Sequence, residues 1–194
     1  MIEGYEYKEP NIIDVIKPLP ISAKREIVQM VNGLRPVAEI TIISRFKEEM
    51  LPVVALLSGS DFTVVTKEIG RNTICFVSKD GSLAEEAATL LDSGGVTNSR
   101  RYGELMGFPT GSIESFVNNK DDLLSVDEVE KLIGFPNYFV NVSLSRGNIE
   151  ESVRYLKNSY RVLLEQYPEI FEEGLPTDED LQGFKRKVSE FVNC

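Results

Sequence analysis

The sequence predicts an α+β fold: an antiparallel sheet from residues 37–79, extended by a strand at 138–145 and packed by helices mainly from the C-terminal half. Three observations carry this expectation. Short runs rich in β-branched residues crowd between Val37 and Lys79, joined by connections too brief for parallel crossovers. Capping signals and helical spacing take over after Ser82. At 194 residues the chain matches the size of one substantial core, so 1–194 is read as a single globular domain.

Taken in order, Pro18-Leu19-Pro20 punctuates the start, and Ser22 stands as N-cap of a helix with Ile27, Met30, Val31 and Leu34 on one face. Asn32-Gly33 ends that helix and Pro36 blocks its resumption. The runs at 37–44, 52–58, 62–68 and 72–79 read as strands. "LLSGSDF" at 56–62 supplies turn chemistry between two of them.

Ser82 with Glu85, and Ser125 with Glu128, stand at capping-box spacing ahead of helical patterns. Between these helices the pattern predicts two shorter ones, at about 99–106 and 112–119. The run 138–145 alternates like a strand. Asn148 then caps a long helix whose stripe runs through Ile149, Val153, Leu156, Tyr160, Leu163, Leu164 and Tyr167, to Pro168. A last helix presents Leu181, Phe184, Val188 and Phe191; Asp178, Glu179 and Asp180 at its start and Lys185, Arg186 and Lys187 later complement the helix dipole.

Composition narrows the function. Twenty-one basic against 31 acidic residues give a formal charge of −10, which disfavours a nucleic-acid partner. The start shows no basic segment followed by an apolar run, and no stretch of about 18 apolar residues occurs, so secretion and membrane spanning are disfavoured. Two cysteines without CxxC spacing fit reduced thiols in a cytoplasm, with Cys75 as a small core hydrophobe. The absence of histidine excludes Ser-His-Asp, Cys-His and His-based zinc chemistry within one chain. Acidic residues cluster at Glu85-Glu86, Asp121-Asp122 and Asp127-Glu128. Those in the first turns near Ser82 and Ser125 read as helix-dipole partners, a magnesium site assembled from several elements stays open, and no metal ligand, cofactor or catalytic residue is assigned.

One echo stands out: Leu105-Met106-Gly107-Phe108-Pro109 recurs as Leu132-Ile133-Gly134-Phe135-Pro136. The flanks share nothing, so helix termination explains it better than duplication: a left-handed glycine, an apolar residue folding back, and a blocking proline. After the first copy a new helix starts at once, at Thr110-Gly111-Ser112. A helix start presents unpaired N–H groups and partial positive charge, which suits an anion, and Arg100 and Arg101 lie close before it. These five residues form the candidate anion site. The plainer reading is an ordinary N-cap at Thr110 or Ser112, with the arginines exposed or paired to nearby glutamates.

This stretch, "RRYGELMGFPTGSIESF", preceded by "GLRPVAEI", resembles uncharacterised archaeal proteins in which a Gly-Tyr/Phe-Pro segment is usually followed by Cys-Cys and an aromatic residue. Gly107, Phe108, Pro109 and Phe116 match, while Gly111 and Ser112 stand where the cysteines would be. The resemblance is strongest over about fifteen residues and implies no activity. Without the cysteines, no thiol or metal role carries over.

Two functional expectations follow. The first is a non-catalytic interaction or ligand-binding module that acts through a sheet edge or a helical stripe, helix 149–167 first among them, toward a second copy of the chain or another protein. The alternative is an enzyme acting on a small phosphate- or carboxylate-bearing substrate held at Thr110-Gly111-Ser112.

Overall fold

The computed structural model describes residues 11–59, 61–92, 95–140, 143–177 and 179–194. The fold is α+β, with a three-stranded antiparallel sheet in the order β1-β3-β2. The short helix α1 (Ile12–Ile16) leads into α2 (Ile21–Val31), and Gly33 at φ 73° turns the chain into β1 (Ala38–Ile42). A 3-10 turn and α3 (Lys47–Ser58) intervene before the hairpin of β2 (Thr63–Ile69) and β3 (Asn72–Ser78). Helices α4 (Gly81–Leu90), α5 (Val96–Leu105), α6 (Thr110–Asn118) and α7 (Val126–Ile133) follow. The chain ends in α8 (Ile149–Gln166), the short α9 (Ile170–Gly174) and α10 (Leu181–Asn193).

Because side chains alternate along β3, its two faces serve two apolar clusters. Cys75 and Val77 point with Ala38, Ile40 and Ile42 of β1 into the main core, shared with α2, α3, α8 and α10. Phe76 and Ile74 point the other way, onto a smaller cluster with Ala84 and Ala87 of α4 and Leu105 of α5. The main core is anchored by aromatic edges: Phe139 on Phe171 at 5.0 Å between centroids, and Phe135 on Tyr160, Phe184 and Phe191.

Two expected strands are corrected. Residues 52–58 are helical, the greater part of α3: Met50, Val54 and Leu57 form one buried face at helical spacing, and this face outweighs the β-branched content of the run. The described residues of 138–145 do not join the sheet. Phe139 packs on Phe171 and Phe184, away from the sheet, and Asn137 replaces a sheet partner by bonding both polar groups of Val140 at 2.7 and 3.3 Å. Ser145 makes an isolated bridge to Leu123, and residues 141–142 lie outside the described residues.

Two expected caps also move. Pro20 rather than Ser22 precedes α2, as proline fits helix starts. Asp80 rather than Ser82 caps α4, accepting from the Ser82 N–H. The Ser125–Glu128 capping box and the Asn148 cap occur as expected. Asp178 lies outside the described residues; Asp180 caps α10. The stripe of α8 is covered by its own chain: Leu156, Tyr160 and Leu163 are fully buried, with α10 and α2 packed along that helix. Among the described residues no helix is long and apolar enough to cross a membrane.

Candidate functional site

The echoed segments end their helices by two different devices. After α5, Gly107 at φ 70° lets the Phe108 N–H donate to Gly103 O and its own N–H to Glu104 O, the paired bonds of a Schellman cap. After α7, Gly134 at φ 82° makes the single bond to Glu130 O of the simpler left-handed cap. Phe135 then enters the main core, whereas Phe108 packs on the smaller cluster. Pro109 starts α6 immediately, so α5 and α6 meet in a tight corner, with Gly103 of one against Ile113 of the other.

At that corner the anion expected at the start of α6 is part of the chain. The Glu151 carboxylate, from the first turn of α8, accepts from Thr110 N–H at 3.0 Å and Gly111 N–H at 2.8 Å. Gly111 is needed for this approach, since a Cβ there would lie 2.8 Å from Glu151 Oε2 and 2.9 Å from Asn148 Cβ. The arginines are engaged elsewhere. Arg100 makes two 2.7 Å bonds to Glu114, and Arg101 bonds Glu86 at 2.7 and 2.9 Å and Glu104 at 3.1 Å. These bonds raise both guanidinium pKa values and lower those of Glu86 and Glu114. The structure thus joins Thr110 and Gly111 in one site, filled by Glu151, and turns Arg100 and Arg101 into links to neighbouring carboxylates.

Ser112 has a different environment. Its residue is 3% exposed and, among the described residues, its hydroxyl has no hydrogen-bond partner. It lines a cavity of about 450 Å³ between the end of α4, α5 and α6. Leu90, Leu91, Ile113 and Phe116 make much of the wall apolar, and Asn98, Ser99 and Ser143 add polar groups. Phe116 is 45% exposed at the rim, with the Lys120 ammonium 4.7 Å from its ring centroid.

Tyr102 and Phe108 line this cavity and also a second one of about 280 Å³ between α2, β1 and α5. The Tyr102 hydroxyl donates to Glu39 at 2.5 Å, and its ring meets Phe76 edge-on. Burial, then the bond to Glu39, raises its pKa, so it stays protonated. In the second cavity, Arg35 donates from Nε and Nη2 to Met106 O at 3.0 and 2.6 Å and pairs with Glu26. Burial lowers its pKa to about 10, still leaving it charged near neutrality.

Among the described residues, no three acidic or cysteine side chains converge to hold a metal. Sequence reasoning missed Glu151 as the partner of α6, although its capping spacing from Asn148 was visible. It also missed the cavity, whose wall unites residues from three helices with no common motif. No family model, no curated protein and no solved structure matches the chain.

Proposed function

We propose that this chain is a non-catalytic binding module for a small, largely apolar molecule that carries one hydroxyl or carbonyl group, seated between α4, α5 and α6. The observation that carries the reading is Ser112, which lines a 450 Å³ cavity and whose buried hydroxyl, among the described residues, has no partner and reaches the cavity by side-chain rotation. An unsatisfied buried polar group costs about 1–3 kcal/mol, and a ligand that completes it recovers part of that. The volume suits a small organic molecule, since ligand pockets span roughly 300–1,000 Å³. Tyr102 is the titratable side chain among the described residues of the wall, and its raised pKa keeps it protonated and so unable to accept a proton, which favours binding over catalysis.

The enzyme alternative, with a small anionic substrate at Thr110-Gly111-Ser112, would require Glu151 to leave the two N–H groups that it now caps. The association alternative is weakened by the covering of the α8 stripe by α2 and α10. Calorimetric titration with 1-naphthol and naphthalene tests the proposal. The hydroxyl compound should bind more tightly to the natural chain, by roughly five- to tenfold for one added hydrogen bond. Ser112→Ala should erase that difference while leaving naphthalene binding in place. Equal affinities for the natural chain, or an unchanged difference in the variant, would defeat the reading.

A further inference from the structure

Arg25, on α2, is 8% exposed, yet among the described residues its side chain makes a single hydrogen bond, a 3.2 Å contact from Nη2 to Glu26. A guanidinium carries five N–H donors, and buried arginines ordinarily place them on carboxylates or carbonyls. Its neighbour shows the contrast. Arg35, equally buried, has Nε and Nη2 on Met106 O and Nη1 on Glu26.

Arg25 borders open space on two sides. The residue lines the 280 Å³ cavity with Glu26, Arg35 and Glu39, and also a separate cavity of about 340 Å³. The latter is walled by Val126, Val129, Val140 and Tyr138, with Asn137 and Leu124. Asn137 gives one amide N–H to Val140 O and accepts from Val140 and Tyr160, so Arg25 is the cationic donor of this wall. Val126 is 65% and Tyr138 39% exposed, which leaves an apolar rim in solvent beside a buried cation.

We infer that Arg25 forms a second binding site, for the carboxylate of a small organic acid whose apolar body rests against Val126, Val129, Tyr138 and Val140. Planar carboxylates match the guanidinium fork and form charge-assisted pairs. Charge bookkeeping selects a monoanion. Glu26 is shared between Arg25 and Arg35, and Glu39 stands in the adjoining cavity, so a dianion would meet two carboxylates against the one underpaired cation. Burial lowers the Arg25 pKa, the direction expected of a desolvated cation with few partners, and a bound carboxylate would reverse it.

The test uses benzoate and benzamide, which share shape and differ in charge, on the full chain with its first cavity filled by 1-naphthol and ionic strength held constant. NMR follows the arginine Nε–Hε resonances, with that of Arg25 assigned by its loss in Arg25→Lys. Benzoate should move the Arg25 resonance, leave that of Arg35 in place, and bind at least about tenfold more tightly than benzamide. Arg25→Met should abolish the preference; should that variant fail to fold, the titration of the natural chain decides alone. An unmoved Arg25 resonance, equal affinities for the two probes, or a preference that survives in Arg25→Met would overturn the inference.

Discussion

Glu151 and Gly111, 40 residues apart, meet with the carboxylate 2.8 Å from the glycine N–H, so that the first turn of α8 caps the first turn of α6. The contact satisfies two donors that α6 cannot satisfy itself and sets negative charge against the positive end of its dipole.

Removing that carboxylate should be costly and partly reversible by salt. Glu151→Ala leaves the Thr110 and Gly111 N–H groups without their acceptor, a loss of about 1–2 kcal/mol in urea unfolding. Sulfate should then raise the unfolding midpoint of the variant more than that of the natural chain, against sodium chloride of equal ionic strength. An equal response of both proteins would show that the helix start does not accept an external anion.

Acid should weaken the α7 start first through Glu128. The Ser125 backbone N–H at 2.8 Å, then Arg146 at 2.7 and 2.8 Å, then the Ser125 hydroxyl at 2.9 Å, hold its carboxyl at about 2, below the ordinary 4.5. Between those values the unfolded chain binds more protons than the folded one, so stability falls as pH drops through this window. Glu128→Gln lacks that titration. The stability gap between it and the natural chain should narrow from about pH 4.5 to about pH 2, and a gap independent of pH would contradict the assignment.

The two echoed glycines should respond unequally to alanine. At Gly134 nothing lies within 4 Å of an added Cβ, so the substitution meets only the left-handed backbone penalty, roughly 1–2 kcal/mol. At Gly107 the same Cβ would stand 2.6 Å from both Leu34 O and Arg35 Cβ. Gly107→Ala should therefore lose clearly more stability than Gly134→Ala in denaturant titration, and equal losses would mean that the contact with Leu34 and Arg35 yields freely.

Thiol labelling of the native protein should stop at one site. Cys194 is exposed, while Cys75 is buried and burial pushes its thiol up to about 11. One cysteine should react with Ellman's reagent under native conditions and two in guanidinium. Fast reaction of both in the native state would place Cys75 outside the core.

Local chemistry read in one pass was enough for the caps at Ser125 and Asn148, the left-handed turns at Gly33, Gly107 and Gly134, and the strands around Ile40, Val65 and Cys75. Each depends on residues within about one helical turn or one pleat, so the sequence contains the whole cause. The antiparallel sheet followed from short connections for the same reason.

Residues 52–58 and 138–145 were misread because short apolar runs satisfy strand and helix patterns alike, and the surface that buries them decides between the two. Met50, Val54 and Leu57 needed the main core to select a helix, and Phe139 needed Phe171 and Phe184. Thr110, Gly111 and Ser112 were recognised as a helix start from sequence alone. That Glu151 would occupy the first two, that Ser112 would line a cavity, and that Arg25 would be buried with one bond among the described residues are facts of distance between remote segments. Hydrogen bonding and burial act over a few ångströms in space, whatever the separation along the chain, so only the tertiary structure could decide them.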